Sequence, residues 1–328
     1  MKILITGIGG LLGCHLANYL IDKNYKVAGI DDLSGGYLDN VPEKATFYKL
    51  NLQNNKALDL IFQHEKPDVV FHFAAYAAEG LSRYIKKFNY ENNVISSVNV
   101  INSCIKHSVQ KIVFSSSMAV YGSQKTPFTE NMIPMPEDSY GIAKYAVEQD
   151  LKDSYGHFDL NYAIVRPHNV FGPKQNIWDK YRNVIGIWIR QALNKKPLSI
   201  FGDGEQTRAF SNIKYYMRPF EKIALEHNDE IFNIGADKYY KIIDAANLVL
   251  KIASQHGFTT SIQHLEPRNE VKHAYCDHKK AKQLLDFKDE TDLEKLVDEM
   301  FAWAKIQPRR FVKYMDYELT KNLYSFWK

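Results

Sequence analysis

Through its first half the chain alternates short runs of consecutive apolar residues with longer stretches in which apolar positions recur every three or four residues. The runs Lys2–Ile5, Lys26–Ile30, Thr46–Leu50, Val69–Phe73, Lys111–Ser115 and Asn161–Arg166 predict strands; Leu11–Ile21, Lys56–His64, Glu91–His107 and Tyr140–Ser154 predict helices. Continuous apolar runs such as Val69-Val70-Phe71 suit strands covered on both faces. The alternation therefore predicts an α/β fold, a doubly wound parallel sheet with helices on both sides and ligands at the carboxyl ends of its strands. After Pro167 the pattern changes: Asn169 to Thr207 mixes aromatics, glycines and prolines around one predicted helix, Tyr181–Leu193, and reads as inserted substrate-binding structure. The first pattern resumes at Phe220–Glu226 and Ile231–Ile234, and a mixed region follows to Lys328. The expected division is a sheet domain of residues 1–167 plus about 211–235, and a smaller, discontinuous α/β domain of about 168–210 plus 236–328. There is no internal repeat or low-complexity linker.

The turn after the first run carries the first candidate chemistry. Thr6-Gly7-Ile8-Gly9-Gly10-Leu11-Leu12-Gly13 joins a strand to a helix, and the next strand ends on Asp31-Asp32. Gly7 permits a tight turn, Gly10 lets backbone N–H groups approach a pyrophosphate, and Gly13 lets the helix pack close to the sheet. The helix N-terminus then turns its free donors on the anion. The spacing G-x-x-G-x-x-G is one position off the usual dinucleotide pattern, so the Rossmann-like context of strand, helix and second strand supports the assignment more than the glycines do. Asp31, eighteen residues after Gly13, is placed to accept from the adenosine ribose hydroxyls and to repel a 2′-phosphate; Asp32 is the alternative for that role. Neither position is Arg or Lys, so NAD(H) is expected rather than NADP(H).

Composition narrows the class. The 328 residues are 45% hydrophobic and 24% charged, as in an ordinary globular protein with one large or two intimate domains. No apolar run reaches the roughly 18 residues of a membrane span, and the first strand begins at Lys2, leaving no room for a signal peptide; the chain is expected in the cytoplasm. Cys14, Cys104 and Cys276 lie in patterned segments and read as small core residues, so neither a disulfide framework nor a metal site is expected. The net charge of +4 comes without a basic arm in the first half, which does not point to nucleic acid. Arg309, Arg310, Lys313 and Lys321 in the tail read as the solvated face of a helix packed by Phe311, Tyr314 and Tyr317.

Six of the 21 tyrosines have Lys four residues later, at Tyr19, Tyr121, Tyr140, Tyr275, Tyr317 and Tyr324, so that spacing alone discriminates nothing. Tyr140 with Lys144 is the pair that follows a strand ending in Ser115-Ser116-Ser117, at the carboxyl edge where a nicotinamide would lie. A phenol with pKa near 10 is a poor base at neutral pH, but an adjacent ammonium and an oxidised nicotinamide both favour the phenolate. Tyr140 could then take a proton from a sugar or alcohol hydroxyl as hydride leaves the same carbon, with Ser117 holding the reacting oxygen and Lys144 binding the nicotinamide ribose.

With these residues in place the chain resembles the extended short-chain dehydrogenase/reductase family, within it the nucleotide-sugar epimerases and dehydratases, and among those the UDP-glucose 4-epimerases. The matching stretches are Thr6–Gly13, Asp31-Asp32-Leu33-Ser34, His72-Phe73-Ala74-Ala75, Asn93-Val94, Phe114–Gly122, Ser139–Lys144, Arg166–Pro173, Phe201–Arg208 and Arg268-Asn269-Glu270-Val271 leading to Asp277. They run in the family's order over about residues 1 to 285. The resemblance implies Ser117, Tyr140 and Lys144 as the catalytic set. It implies a cofactor site of Gly7, Gly10, Leu11, Leu12, Gly13, Asp31, Asp32, Phe73, Ala74, Ala75, Ser115, Tyr140, Lys144 and Pro167, with Asn51 and Leu52 bordering the adenine and Asn93 and His168 near the nicotinamide half. Substrate would meet Ser117, Met118 and Tyr140 at the sugar, and Asn169, Arg208, Arg268 and Glu270 at the nucleotide diphosphate. For Arg268 an ion pair with Glu266 or Glu270 is the competing role. The resemblance also implies a homodimer that pairs the Glu91–His107 and Tyr140–Ser154 helices; the Val94, Val98, Ile101, Ile105 stripe suits that but would equally face the sheet.

A 4-epimerase needs only hydride removal, rotation of the 4-keto sugar and hydride return. A 4,6-dehydratase must also eliminate water, and its family places an Asp-Glu pair directly after the serine or threonine. Here those positions are Met118-Ala119, which transfer no protons, so epimerisation is the expected reaction. Two positions depart from the family pattern. Glu79 falls where many relatives have an apolar residue, and reads either as an additional proton-transfer group or as a structural hydrogen-bonding residue. Lys214 stands where an Asp normally starts a helix, which removes an expected N-cap and suggests a later helix start near Pro219.

Overall fold

The computed structural model describes residues 1–327. Strands β1 (Lys2–Thr6), β2 (Lys26–Asp31), β3 (Thr46–Lys49), β4 (Val69–His72), β5 (Lys111–Ser115) and β6 (Asn161–Pro167) join the strand Glu230–Ile234 in one seven-stranded sheet. Its order is Glu230–Ile234, β6, β5, β4, β1, β2, β3, with every neighbour parallel. The chain moves outward from β1 through β2 to β3, then returns to the other side of β1 at β4. Strand order therefore reverses between β1 and β4, and a crevice opens at their carboxyl ends.

Alternation of side chains along each strand explains why the runs are apolar throughout. Ile3, Ile5, Phe71, Val113 and Val165 pack on one face under helix α1 (Leu11–Asp22) and the helix Met217–Glu226. Leu4, Val70, Ile112, Phe114 and Ile164 pack on the other under α2 (Asn55–Glu65), α5 (Ser96–Lys106) and α6 (Ser139–Phe158). Between α2 and α5 lie two short helices, α3 (Glu79–Ser82) and α4 (Lys86–Tyr90). A separate core holds Phe171, Trp188 and Ile189 of α7 (Val184–Leu193), Ile200, Val249, Val297 and Phe301. Several residues expected in the second unit pack with the first: Ala281, Leu285 and Phe287 return to the core of the sheet, Ala274 and Cys276 join Val120 and Tyr121, and Leu323 and Trp327 join Tyr76 and Tyr84.

The expected helix Glu91–His107 is broken. Residues Glu91–Ile95 form a π-helical turn, and α5 begins only at Ser96. Side chains compete for the backbone there: Ser96 Oγ donates to Glu91 O at 3.1 Å and Asn92 Nδ2 to Phe88 O at 2.8 Å. In the apolar stripe, Ile101 and Ile105 face the sheet, whereas Val94 and Val98 remain partly exposed. Helix α7 starts at Val184 instead of Tyr181, because Asn183 Oδ1 caps Ile185 N at 3.1 Å. The helix begins later than Lys214, as expected: it starts at Met217 with Pro219 in its first turn, after a single turn Ile213–Tyr216 whose cap is Asn212 Oδ1 accepting from Lys214 N at 3.0 Å; an amide does the work of the missing carboxylate. The tail forms no helix between Lys305 and Ser325. Phe311 is 92% exposed, while Tyr314 and Tyr317 pack around Tyr181.

The three cysteines are buried free thiols. No helix among the described residues is long and apolar enough to cross a membrane.

Candidate active site

A cavity of about 530 Å³ runs along the carboxyl ends of β1, β2, β4, β5 and β6, from the glycine turn to the C-terminal residues Tyr324, Phe326 and Trp327. At one end, a Cβ on Gly13 would lie 2.2 Å from Gly7 O, so only glycine lets α1 approach the turn. Gly7 has φ +74°, the left-handed region glycine favours. Helix α1 has Gly10 at its N-cap, no side-chain cap and no acidic residue in its first turn. Its first N–H groups thus lack a protein side-chain acceptor where Gly10, Leu11, Leu12 and Gly13 line the cavity, the donor set a pyrophosphate requires. Asp31 spends both carboxylate oxygens on this turn, accepting from Gly9 N at 2.9 Å and Leu33 N at 2.7 Å. Asp32, more open, accepts from Ser34 N and from Asn51 Nδ2 at 3.2 Å. Asp31, Asp32, Asn51 and Leu52 line the same end, which fits an adenosine with a free 2′-hydroxyl.

The middle of the cavity gathers Ser117, Tyr140 and Lys144. Strand β5 ends at Ser115, and Ser117 caps the following turn by accepting from Ala119 N at 3.1 Å. Asp138 caps α6, taking Tyr140 N and Gly141 N at 2.9 Å each, which fixes Tyr140 in its first turn. Lys144, one turn on, donates to Ser115 O at 2.8 Å and lies 5.8 Å from the Tyr140 ring centre. Burial pushes the Tyr140 phenol above its ordinary range; a hydrogen bond to Ser117 opposes that, while the charges of Glu79 and Asp138 add to it. Burial also pushes Lys144 down to about 7, with the Glu148 carboxylate opposing. The phenolate therefore needs positive charge beyond what the protein supplies alone, and an oxidised nicotinamide in this cavity is such a charge.

Two layers of hydrogen bonds hold the segment that carries Ser115, Ser116 and Ser117. Arg166 and Glu148, 1% and 0% exposed at their side chains, pair through Nη2–Oε2 at 2.5 Å and Nε–Oε1 at 2.9 Å. Ser116 Oγ donates to the same carboxylate at 2.5 Å, and Arg166 Nη1 donates to the Tyr121 hydroxyl at 2.8 Å. On the other side of β5, His72 bridges Thr6 Oγ1 at 2.7 Å and Ser97 Oγ at 2.8 Å, and burial lowers it to about 3, so it is a neutral strut.

At the far end Arg208 Nη2 donates to Val271 O at 2.7 Å and lies 3.5 Å from Glu270 Oε2; Arg268 Nη2 reaches the same oxygen at 3.2 Å. Arg268 also stacks on Phe201 at 3.8 Å, and its Nε is buried without a partner. Of the two roles weighed for Arg268, the ion pair with Glu270 is present, and the pair lies in the cavity wall. Asn169 lines this end with φ +43°, its amide donating to Ala209 O at 3.1 Å.

Phe73, Ala74, Ala75, Ser115, Met118 and Pro167 also line the cavity. Asn93 does not: it is 1% exposed and spends its amide on Tyr76 N, Tyr76 O and Asn89, so it positions the loop after β4 from behind. His168 lines the cavity with a ring locked at its rear. Its Nε2 meets His278 Nε2 at 2.9 Å, and His278 Nδ1 meets Asp237 Oδ1 at 3.0 Å. A Cβ on Gly235 would sit 1.9 Å from His168 Nε2. The Nδ1 of His168 is buried with no partner, and burial lowers the ring to about 3.

Several wall residues carried no local signal. Arg182 stacks on Tyr76 at 4.7 Å and pairs with Asp179 at 3.1 Å, and Trp327 packs against Tyr84, Tyr181 and Tyr324. Asp179 and Tyr324 are local partners, but Tyr76 for Arg182 and Tyr84 and Tyr181 for Trp327 come from elements a hundred or more residues away, so no periodicity within one segment reports these contacts.

Residues 3–235 match the model of the NAD dependent epimerase/dehydratase family. The chain is similar to the crystal structure of UDP-glucose 4-epimerase with UDP-glucose from Thermotoga maritima, at 30% identity and TM-score 0.88, covering 93% of this chain and 99% of that one. It is similar to a UDP-N-acetylglucosamine 4-epimerase from Methanobrevibacter ruminantium in complex with UDP-N-acetylmuramic acid, at 29% and 0.84, covering 92% and 97%. A third similar structure is the UDP-glucuronic acid 4-epimerase from Bacillus cereus in complex with UDP-glucuronic acid and NAD, at 27% and 0.82, covering 93% and 99%.

Proposed function

Since the chain belongs to the NAD dependent epimerase/dehydratase family, we propose that this NAD-dependent enzyme is a nucleotide-sugar 4-epimerase whose substrate is a UDP-hexose of the glucose/galactose type. The observation that carries this is the content of the cavity beside Tyr140: a serine, a tyrosine and a lysine converge, and Met118-Ala119 follow the serine in place of a carboxylate pair. Bound NAD supplies the acceptor and then the donor of hydride at C4. The protein's own groups handle the proton. Tyr140 takes it from the C4 hydroxyl and later returns it, Ser117 holds the reacting oxygen, and the Lys144 charge favours the phenolate. Because burial opposes that phenolate, Tyr140 becomes a base only with the oxidised cofactor in place.

The glycine turn and the N-terminus of α1 would hold the cofactor pyrophosphate, with Asp31 and Asp32 at the adenosine ribose and Asn51 and Leu52 at the adenine. Arg208 and Arg268 would exchange part of their contact with Glu270 for the substrate diphosphate, while Glu270 and Asn169 receive ribose and phosphate groups. Holding the nucleotide leaves the sugar free to turn between half-reactions. Two copies would pair through the helices at 91–106 and 139–158, a proposal supported by Ile95 and Ile142, which are 50% and 44% exposed there. The two domains expected from the sequence would correspond to the sheet and to the separate core around Trp188.

The test is NMR of the purified protein with UDP-glucose and, separately, UDP-N-acetylglucosamine, without added cofactor and beside Tyr140→Phe. A galacto isomer from wild type alone is the expected result. A 4-keto or decarboxylated product in its place overturns the epimerase assignment.

A further inference from the structure

Six carboxyl side chains line the cavity: Asp31, Asp32, Glu79, Glu137, Asp138 and Glu270. Five are engaged. Asp31, Asp32 and Asp138 accept from backbone N–H groups, Glu137 accepts from Ser123, and Glu270 pairs with two arginines. Glu79 alone has no hydrogen bond or ion pair among the described residues, although its backbone is fixed by Ser82, whose hydroxyl donates to Glu79 O at 2.7 Å. The same Ser82 hydroxyl lies 3.3 Å from Asp138 Oδ1, the carboxylate that caps Tyr140 N, so Glu79 lines the cavity one hydrogen-bonded step from the Tyr140 turn. Next to it, a Cβ on Gly80 would stand 3.5 Å from Trp327 and 3.6 Å from Arg268 Nη1, so this position adjoins the arginine end of the cavity. A hexose joined to a diphosphate at the arginines, with C4 at Tyr140, has to lie alongside Glu79.

Resting on the epimerase assignment above, we propose that Glu79 selects the sugar: it accepts hydrogen bonds from the hydroxyl or amide donors of an uncharged hexose and excludes hexoses that carry a carboxylate. A 4-epimerase turns its sugar over between half-reactions, so a C6 carboxylate would sweep past Glu79 in one orientation or the other. The groups that face Glu79 are Asp138 and Glu270, which add negative charge, and Arg208 and Arg268, which oppose it until a diphosphate occupies them. Glu79 is open to the cavity; partial loss of solvent within the cavity first, then the charge of Asp138, pushes its carboxyl up to about 7, so exclusion strengthens as pH rises above that value and relaxes below it. The similarity to a glucuronic acid epimerase shows that the fold alone does not make this choice.

Calorimetric titration of the NAD-loaded protein with UDP-glucose, UDP-glucuronate and UDP tests it, each sugar affinity being expressed relative to UDP on the same sample. At about pH 8.5 wild type should bind the glucuronate about ten-fold or more weakly than the glucose compound, and the gap should narrow at about pH 6. Glu79→Gln should lose both the gap and its pH dependence; Glu79→Val serves if Gln does not fold. Equal binding by wild type at high pH, or discrimination retained in the variants, overturns the proposal. The NMR assay on the same samples separates the two assignments. Turnover without selectivity refutes only Glu79, selectivity without turnover refutes only the epimerase, and no binding of any UDP-sugar refutes both.

Discussion

Replacing Glu148 with Gln removes one charge from the least exposed ion pair in the protein while keeping the side chain's shape. Arg166 would then remain 1% exposed with no counter-charge, and Lys144, one turn earlier on α6, would lose the carboxylate that favours its protonated form. Breaking a buried pair by removing one partner costs about 3–5 kcal/mol, a large part of a total near 5–15 kcal/mol. Unfolding entropy of about 2.1 cal/mol/K per residue over 328 residues gives about 0.7 kcal/mol/K, so Tm should fall by about 4–7 °C in scanning calorimetry. The double variant Glu148→Leu/Arg166→Met should be less damaged than Glu148→Gln, because it leaves no orphaned charge. Turnover should fall too, since a single amide oxygen must then serve Ser116 and Arg166, which two carboxylate oxygens serve now, and Ser117 follows Ser116 in the chain. A Tm change under about 1 °C for Glu148→Gln, or a double variant worse than the single one, would refute the reasoning.

Gly13→Ala places a Cβ 2.2 Å from Gly7 O and 2.7 Å from Ile8 Cα, both backbone atoms; NAD affinity should drop about 100-fold or more, read from the cofactor that co-purifies. Tyr140→Phe should lower turnover by about 10²–10⁴ while NAD content stays at the wild-type level, and loss of cofactor instead would move Tyr140 from proton transfer to binding. Lys144, whose folded pKa is pushed from 10.5 down to about 7, gives the unfolded chain the greater proton uptake between those values. The stability of the cofactor-free protein should therefore rise with pH across that window, and denaturant titrations of Lys144→Met should lack this component; parallel wild-type and variant profiles would exclude it.

The sheet and the glycine turn were legible because they are local. A strand with both faces covered must be apolar at every position, and a helix packed on its turn must have glycine where Gly13 stands. The pair Tyr140 and Lys144 could be picked from six by its place after β5. Asp31 was legible as an acidic group at the end of β2, but its use by Gly9 N and Leu33 N was not, because that depends on a fold-back of the turn onto β2. The π-helical turn escaped because it arises from competition by Asn92 and Ser96 for backbone partners within an otherwise helical pattern. The tail misled for a related reason: its tyrosines sit at helix-like spacing but pack on Tyr181, a residue 136 positions from Tyr317. Glu79 stood out as an anomaly in sequence, and its unpartnered state in the cavity gives that anomaly a physical meaning.

Trp327 packs beside Gly80 and Tyr84, whereas the glycine turn is complete by residue 13. The glycine-turn end of the cavity is built from segments close in sequence, whereas the far end is complete only when a segment that follows Tyr84 by most of the chain docks against it. Cleavage between Lys305 and Tyr324 should therefore open the far wall while leaving the glycine turn intact.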